Sequence, residues 1–251
     1  VTSSKFSFST LASGATQVAG SDLPFTFSIW VKISSSSSGL NYFFAKNANL
    51  IEYLAYYDVA TKKIEISVLN SAGNKFIRKA TAALSIEDKW AHVAFTYTGG
   101  EVAHTDAWAN QALKIYINGT ESIDGSVAKS SNYVSFEPEH GQPLYIGAAY
   151  DGSNELDGDM AEFAVWSSSL SAPNIKAIYN ASQSRFTRNQ TVSGFLNHSP
   201  RIQSIENINY HDVHGKFDDT RTIDFIDPRQ EAFIKFHRVP KDAHKIVITD
   251  T

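Results

Sequence analysis

Five side chains with oxygen donors stand within nine residues of this chain: Asp151, Asn154, Glu155, Asp157 and Asp159. Such a set of hard ligands suits calcium, with Asp151, Asp157 and Asp159 the side chains expected to hold the ion; the alternative is a solvated acidic loop. The same stretch has a second chemistry. Glu155, Asp157 and Asp159 lie two apart, so on an extended strand they would project from one face at about 6 to 7 Å. A retaining glycosidase needs roughly 5 to 5.5 Å between its two carboxyl groups. Gly158 interrupts the series and favours a turn, so no catalytic residue is assigned and the chain is read as a non-enzyme.

Other reactive constellations are sparse. His211-Asp-Val-His214 could give a metal two imidazoles and a carboxylate, but it has no fixed third partner, and surface histidines are the default reading. There is no Gly-x-Ser-x-Gly elbow, phosphate loop or cysteine nucleophile, so acyl and phosphoryl transfer have no support. Asn-x-Ser/Thr sequons begin at Asn118, Asn180, Asn189 and Asn197, a number close to chance in so Ser/Thr-rich a chain. Tyr42, Tyr53, Tyr56, Tyr57, Trp108 and Tyr150 are the aromatics that could stack on the apolar C–H faces of sugars. Trp108, Tyr150 and Asn154 are the preferred ligand-binding candidates, because residues 103–110 and 150–154 read as loops.

The elements that must position these residues are strands. Phe25, Phe27, Ile29, Val31 and Ile33 fall on one face of a run whose other face holds Thr26, Ser28, Trp30 and Lys32. A one-residue slip would expose all five apolar side chains, so the register is fixed. Trp30, on the opposite face, is expected under a neighbouring segment. Strand patterns recur at residues 42–57, 64–68, 75–79, 90–97, 113–117 and 144–150, with a short first strand at Phe6 and Phe8. Asn118-Gly119 after the fifth of these is a hairpin signal. In residues 161–166, Ala161, Phe163 and Val165 alternate with Glu162, Ala164 and Trp166. Ser171 can cap a short helix with Pro173 in its first turn and Ile175, Ile178 and Tyr179 on one side. Strands at this spacing with one helix indicate an antiparallel sandwich.

Three segments carry a family resemblance. The first is Leu156-Asp-Gly-x-Met-x-Glu-Phe-x-Val-Trp166 followed by Leu170-Ser171. The second is Phe25-Thr-Phe-Ser-Ile-Trp-Val-Lys-Ile33, and the third is Trp90-Ala-His-Val-Ala-Phe-Thr-Tyr97 with Leu113-Lys-Ile-Tyr-Ile-Asn-Gly119. In this order they resemble the laminin-G-like domains of the concanavalin A-like lectin/glucanase superfamily, over residues 1–182. The resemblance implies an all-β, antiparallel jelly-roll sandwich, and it raises the expectation of calcium at the rim. Two departures matter. The closing motif commonly reads Asp-Glu where this chain has Ala161-Glu162, and laminarinase-like members end their Glu-x-Asp motif in a Glu that is missing here.

Composition narrows the function further. The chain has 251 residues, 12% aromatic and 19% charged, with a formal charge of −4 and no cysteine. A folded core is expected without disulfides, and there is no basic field to attract nucleic acid. No apolar run approaches membrane-spanning length. The first residue is Val1, which reads as a processed product or a fragment. Residues 183–251 change character, with ten Lys or Arg against nine Asp or Glu and strand-like runs separated by Pro200, Pro228 and Pro240. They are read as a β-rich C-terminal extension that packs on the sandwich or on a neighbouring subunit. Cysteine-free domains of this kind resemble modules of bacterial surface proteins and phage virions. The expected function is therefore a non-enzymatic recognition or assembly module, extracellular or in a virion (as capsid decoration or fibre). Its expected partners are other subunits and glycans. A lectin-like glycan binder is the first alternative and a laminarinase-like glycoside hydrolase the second.

Overall fold

The alternating run becomes β1 (Phe25–Ile33), and its five apolar side chains are wholly buried. At roughly 1.5–3 kcal/mol for each fully buried large side chain, this strand is a principal source of core stability. The computed structural model describes residues 6–47, 51–69, 76–100, 111–123, 125–129, 133–135, 143–149, 151–186 and 246–248. The strands that follow β1 are β2 (Leu40–Asn47), β3 (Ile51–Asp58), β4 (Lys63–Leu69), β5 (Phe76–Ala80) and β6 (Ala91–Tyr97). Next come β7 (Leu113–Ile117), β8 (Thr120–Glu121), β9 (Val127–Lys129), β10 (Leu144–Ile146) and β11 (Gly158–Trp166). Helix α1 (Ala172–Phe186) and β12 (Ile246–Ile248) complete the described elements.

These strands form two sheets, ordered β11-β1-β6-β7-β8 and β12-β10-β2-β3-β4-β5-β9. Every pairing among the described strands is antiparallel, from the long β1–β6 ladder to the short β10–β12 one. The core lies between the sheets and is dominated by aromatics. Phe27 sits at its centre, stacked on Phe44 at 4.2 Å and ringed by Phe8, Phe25, Tyr53 and Phe163. Asn118 and Gly119 both take positive φ, as the hairpin signal demands.

Several local expectations change. Phe6 and Phe8 enter the core, but among the described residues the first segment pairs through an isolated bridge between Ser9 and Asp22 and forms no strand. Tyr53 and Tyr57 are core residues with no exposure, so they cannot stack on a ligand. Their hydroxyls are used inside the protein, Tyr53 donating to the Phe6 carbonyl and Tyr57 to Glu87. In β11 the register against β1 shifts between Ser28 and Trp30, and Glu162 takes φ +50°. This bulge puts Ala161 opposite Trp30, on the face away from the core, while Met160 and Phe163 point inward. The simple alternation of Ala161 with Phe163 therefore fails.

Trp30 is covered, as expected, and the cover is α1. The indole stacks on Tyr179 and Phe186 and donates its Nε1–H to Ser182 Oγ at 2.9 Å. Phe186 also packs on Trp90, so the helix runs past residue 182 to an aromatic clasp. Gly119 lets the hairpin tip approach α1. A Cβ there would stand 2.8 Å from Lys176 Cδ and 3.0 Å from Tyr179 Cβ. Of the strand-like runs expected after residue 182, the described one is β12, which pairs with β10 at the edge of the seven-stranded sheet. The runs at 221–226 and 231–239, and the His211/His214 pair, lie outside the described residues.

Candidate functional site

On strands of a half-covered sheet, side chains alternate between core and outer face. In β3 this sends Tyr53, Ala55 and Tyr57 inward and leaves Leu54 and Tyr56 outside; in β4 it leaves Glu65, Ser67 and Leu69 outside. The β2 bulge between Tyr42 and Phe44 buries both Phe43 and Phe44 and returns Tyr42 and Ala45 to the outer face. Strand register then aligns these residues into rows. One row runs Tyr145, Ala45, Leu54, Ser67 and Arg78 across five strands, and a second runs Tyr42, Tyr56 and Glu65.

The result is a built surface. Ala45, Leu54 and Leu69 form a small apolar base, with the half-buried rings of Tyr42 and Tyr56 packed on it. The two rings stack at 5.4 Å and 29°. Tyr56 donates its hydroxyl hydrogen to Glu65, and Arg78 Nε reaches both Glu65 Oε1 at 3.0 Å and Ser67 Oγ at 3.1 Å. Arg78 remains 41% exposed while Glu65 is 15% exposed, so the cation reaches solvent from a carboxylate held in place. Burial pushes the Tyr42 and Tyr56 phenols upward; the charges of Asp151 and Glu65 add to the shift at Tyr42, and the hydrogen bond to Glu65 adds to it at Tyr56. Both stay protonated at neutral pH. Among the described residues the Tyr42 hydroxyl has no hydrogen-bond partner, so it can serve a ligand.

The acidic loop borders this surface. Tyr42 N–H donates to the Asn154 carbonyl at 3.2 Å, bringing residues 151–154 to the end of the tyrosine row. Within the loop, Asp151 Oδ1 accepts from the backbone N–H and the hydroxyl of Ser153. Asp157 receives Asn41 Oδ1 on its backbone N–H, and its carbonyl accepts from Ser34. Asp159 lies in β11 opposite Lys32. Gly158 opens β11 between the two aspartates, and a Cβ there would lie 2.0 Å from the Lys32 carbonyl oxygen. Among the described residues no group of three His, Asp or Glu side chains stands where one metal ion could meet them all. Asp151, Asp157 and Asp159 as placed do not form such a three-carboxylate group. Glu155, Asp157 and Asp159 likewise do not share one extended strand, because β11 begins only at Gly158.

Of the expected sugar contacts, Asn154 lies exposed in this border with φ +52°, while Trp108 and Tyr150 fall outside the described residues. Sequence reasoning included Tyr42 and Tyr56 among the aromatics but preferred the loop residues, and it did not see Glu65 or Arg78. The hairpin turn after Asp58 carried a usable signal, since counting back from it sets Tyr56 opposite Glu65.

No curated protein matches the chain. The binding domain of botulinum neurotoxin serotype D aligns with 63% of this chain and 37% of its own, at 16% identity and TM-score 0.45. The chain thus spans little more than a third of that neurotoxin chain. The Ruminococcus gnavus IT-sialidase CBM40, solved with α2,3 sialyllactose, aligns over 62% of this chain and 82% of its own, at 14% identity and TM-score 0.46. The SAP-like pentraxin of Limulus polyphemus aligns over 69% and 80%, at 15% identity and TM-score 0.41. The family described as the concanavalin A-like lectin/glucanases superfamily matches residues 7–176, more than half of the sequence. The chain belongs to the concanavalin A-like lectin/glucanase superfamily.

Proposed function

We propose that this chain is a non-enzymatic carbohydrate-recognition module that takes its sugar on the outer face of the seven-stranded sheet. The observation that carries the reading is the Tyr42–Tyr56 stack standing beside the Glu65–Arg78 pair on one face. Aromatic rings meet the apolar C–H face of a pyranose, and fixed polar groups beside them orient its hydroxyls. Glu155 and Asp157 precede β11 and Asp159 lies in it, so strand geometry does not by itself set these carboxylates on one face as a glycosidase pair would need. An extracellular location follows from this role and belongs to the proposal. The virion reading draws on the resemblance to modules of surface proteins and phage virions, and the subunit-assembly reading on residues 183–251, of which only 183–186 and 246–248 are described; both stay separate proposals.

A glycan array tests the reading. The wild-type chain is expected to retain a defined set of sugars, and Tyr42→Ala and Tyr56→Ala to lose them while keeping the wild-type circular dichroism spectrum. No retained glycan, or retention unchanged in both variants, would overturn it.

A further inference from the structure

His92 occupies a place that binding does not explain. It lies on the outer face of the five-stranded sheet, beneath α1, and is fully buried. Its Nε2 meets Ser28 Oγ at 2.8 Å, while Nδ1 has no hydrogen-bond partner among the described residues. The ring is walled by Trp30 at 5.4 Å and by Tyr179 of α1 at 5.9 Å. Its backbone holds the hairpin tip through Asn118, and that tip carries Gly119 against α1.

Among the described residues no anion is positioned to receive a charge there. On α1 the near charged group is Lys176, whose ammonium lies over the Tyr179 ring and 3.4 Å from the Asn118 carbonyl. Along the same sheet face, Lys32 of β1 stands opposite Asp159 of β11, and Lys114 of β7 pairs with Glu121 of β8 at 3.0 Å. Glu162 sits in the β11 bulge. None of these shifts the imidazole. Burial alone lowers its pKa to about 4 from the ordinary 6.5.

We propose that His92 is an acid trigger that releases α1 from the five-stranded sheet. An imidazolium under α1 would be unpaired in an aromatic pocket, whereas lifting the helix would give it water. The helix is the element able to yield. It docks through Ile175, Tyr179, Ser182 and Phe186, while Ala172, Pro173, Asn174, Lys176, Ala177, Asn180 and Ala181 face solvent. The sign follows from linkage. The released form binds the proton near pH 6.5 and the docked form only near 4, so docking weakens about tenfold per pH unit between them and levels off below. Between pH 7 and 4 the opening equilibrium rises on the order of 100-fold.

Hydrogen exchange of the full chain, read by peptide and corrected for intrinsic rates, tests this between pH 7 and 3.5. Residues 172–186 are expected to lose protection from about pH 6.5 downward while β1 and β6 keep theirs. His92→Gln, which can still bond Ser28, is expected to abolish the slope. Onset near pH 6.5 separates the imidazole from the carboxylates, which protonate around pH 4, and H92Q separates His92 from the chain's seven other histidines. Flat protection of the helix, an equal slope in H92Q, onset only below pH 4.5, or joint loss of helix and sheet would each overturn the trigger.

Discussion

Replacing Lys46 by Met should be among the most damaging single changes in the sandwich. Lys46 and Glu52 are both fully buried and meet at 3.2 Å, and the Ser7 hydroxyl lies 3.0 and 3.1 Å from the two Glu52 oxygens. Removing one member of such a pair strands the other charge in the interior, at a cost of about 3–5 kcal/mol. Ser7→Ala removes one hydrogen bond to a charged group and should cost about 1.5–3 kcal/mol. Replacing both ions with apolar residues of similar volume is often neutral or stabilising. The double variant K46M/E52L should therefore be more stable than K46M, a non-additivity of several kcal/mol. For a domain of this size, the K46M loss corresponds to a fall in Tm of roughly 6–20 °C. Urea unfolding of the wild type, K46M, E52L and K46M/E52L, followed by tryptophan fluorescence, measures the cycle. A K46M loss under about 1 kcal/mol would refute the reasoning, since it would mean that water reaches the pair.

Other perturbations have equally definite outcomes. Gly158→Ala would push a methyl group into the Lys32 carbonyl, and it should cost on the order of 3 kcal/mol in a chemical-unfolding measurement. Because Asp151, Asp157 and Asp159 do not converge, Tm should be the same in millimolar calcium and in excess chelator. A rise with calcium would put an ion on the loop. Incubation with a β-glucan should release no reducing sugar; release abolished by Glu155→Gln would make the chain a hydrolase.

Much of the fold was legible because its strands obey a period of two. The five apolar residues of β1, the Asn118-Gly119 turn and the Ser171 helix start needed no tertiary knowledge, and Trp30 was recognisable as a residue awaiting a cover. Bulges defeated the finer reading. The register shifts after Tyr42 and at Glu162 each reverse a face, so Phe43 goes inside and Ala161 outside. The Lys46–Glu52 pair was invisible for a related reason, since a charged side chain reads as solvent-facing until its partner is known. The proposed binding face was hidden because it is assembled across strands. Tyr42, Tyr56, Glu65 and Arg78 come from four segments, and cross-strand register alone makes them neighbours.

Chemical-shift mapping of the glycan selected on the array tests the central claim most directly. Titrated into isotopically labelled protein, the sugar should shift Tyr42, Leu54, Tyr56, Ser67 and Arg78 together, with one shared dissociation constant. Tyr56→Ala should weaken that constant roughly two- to tenfold, the worth of one aromatic contact. Shifts confined to residues 101–110, or to the five-stranded sheet, with the Tyr42–Tyr56 face unmoved, would contradict the account.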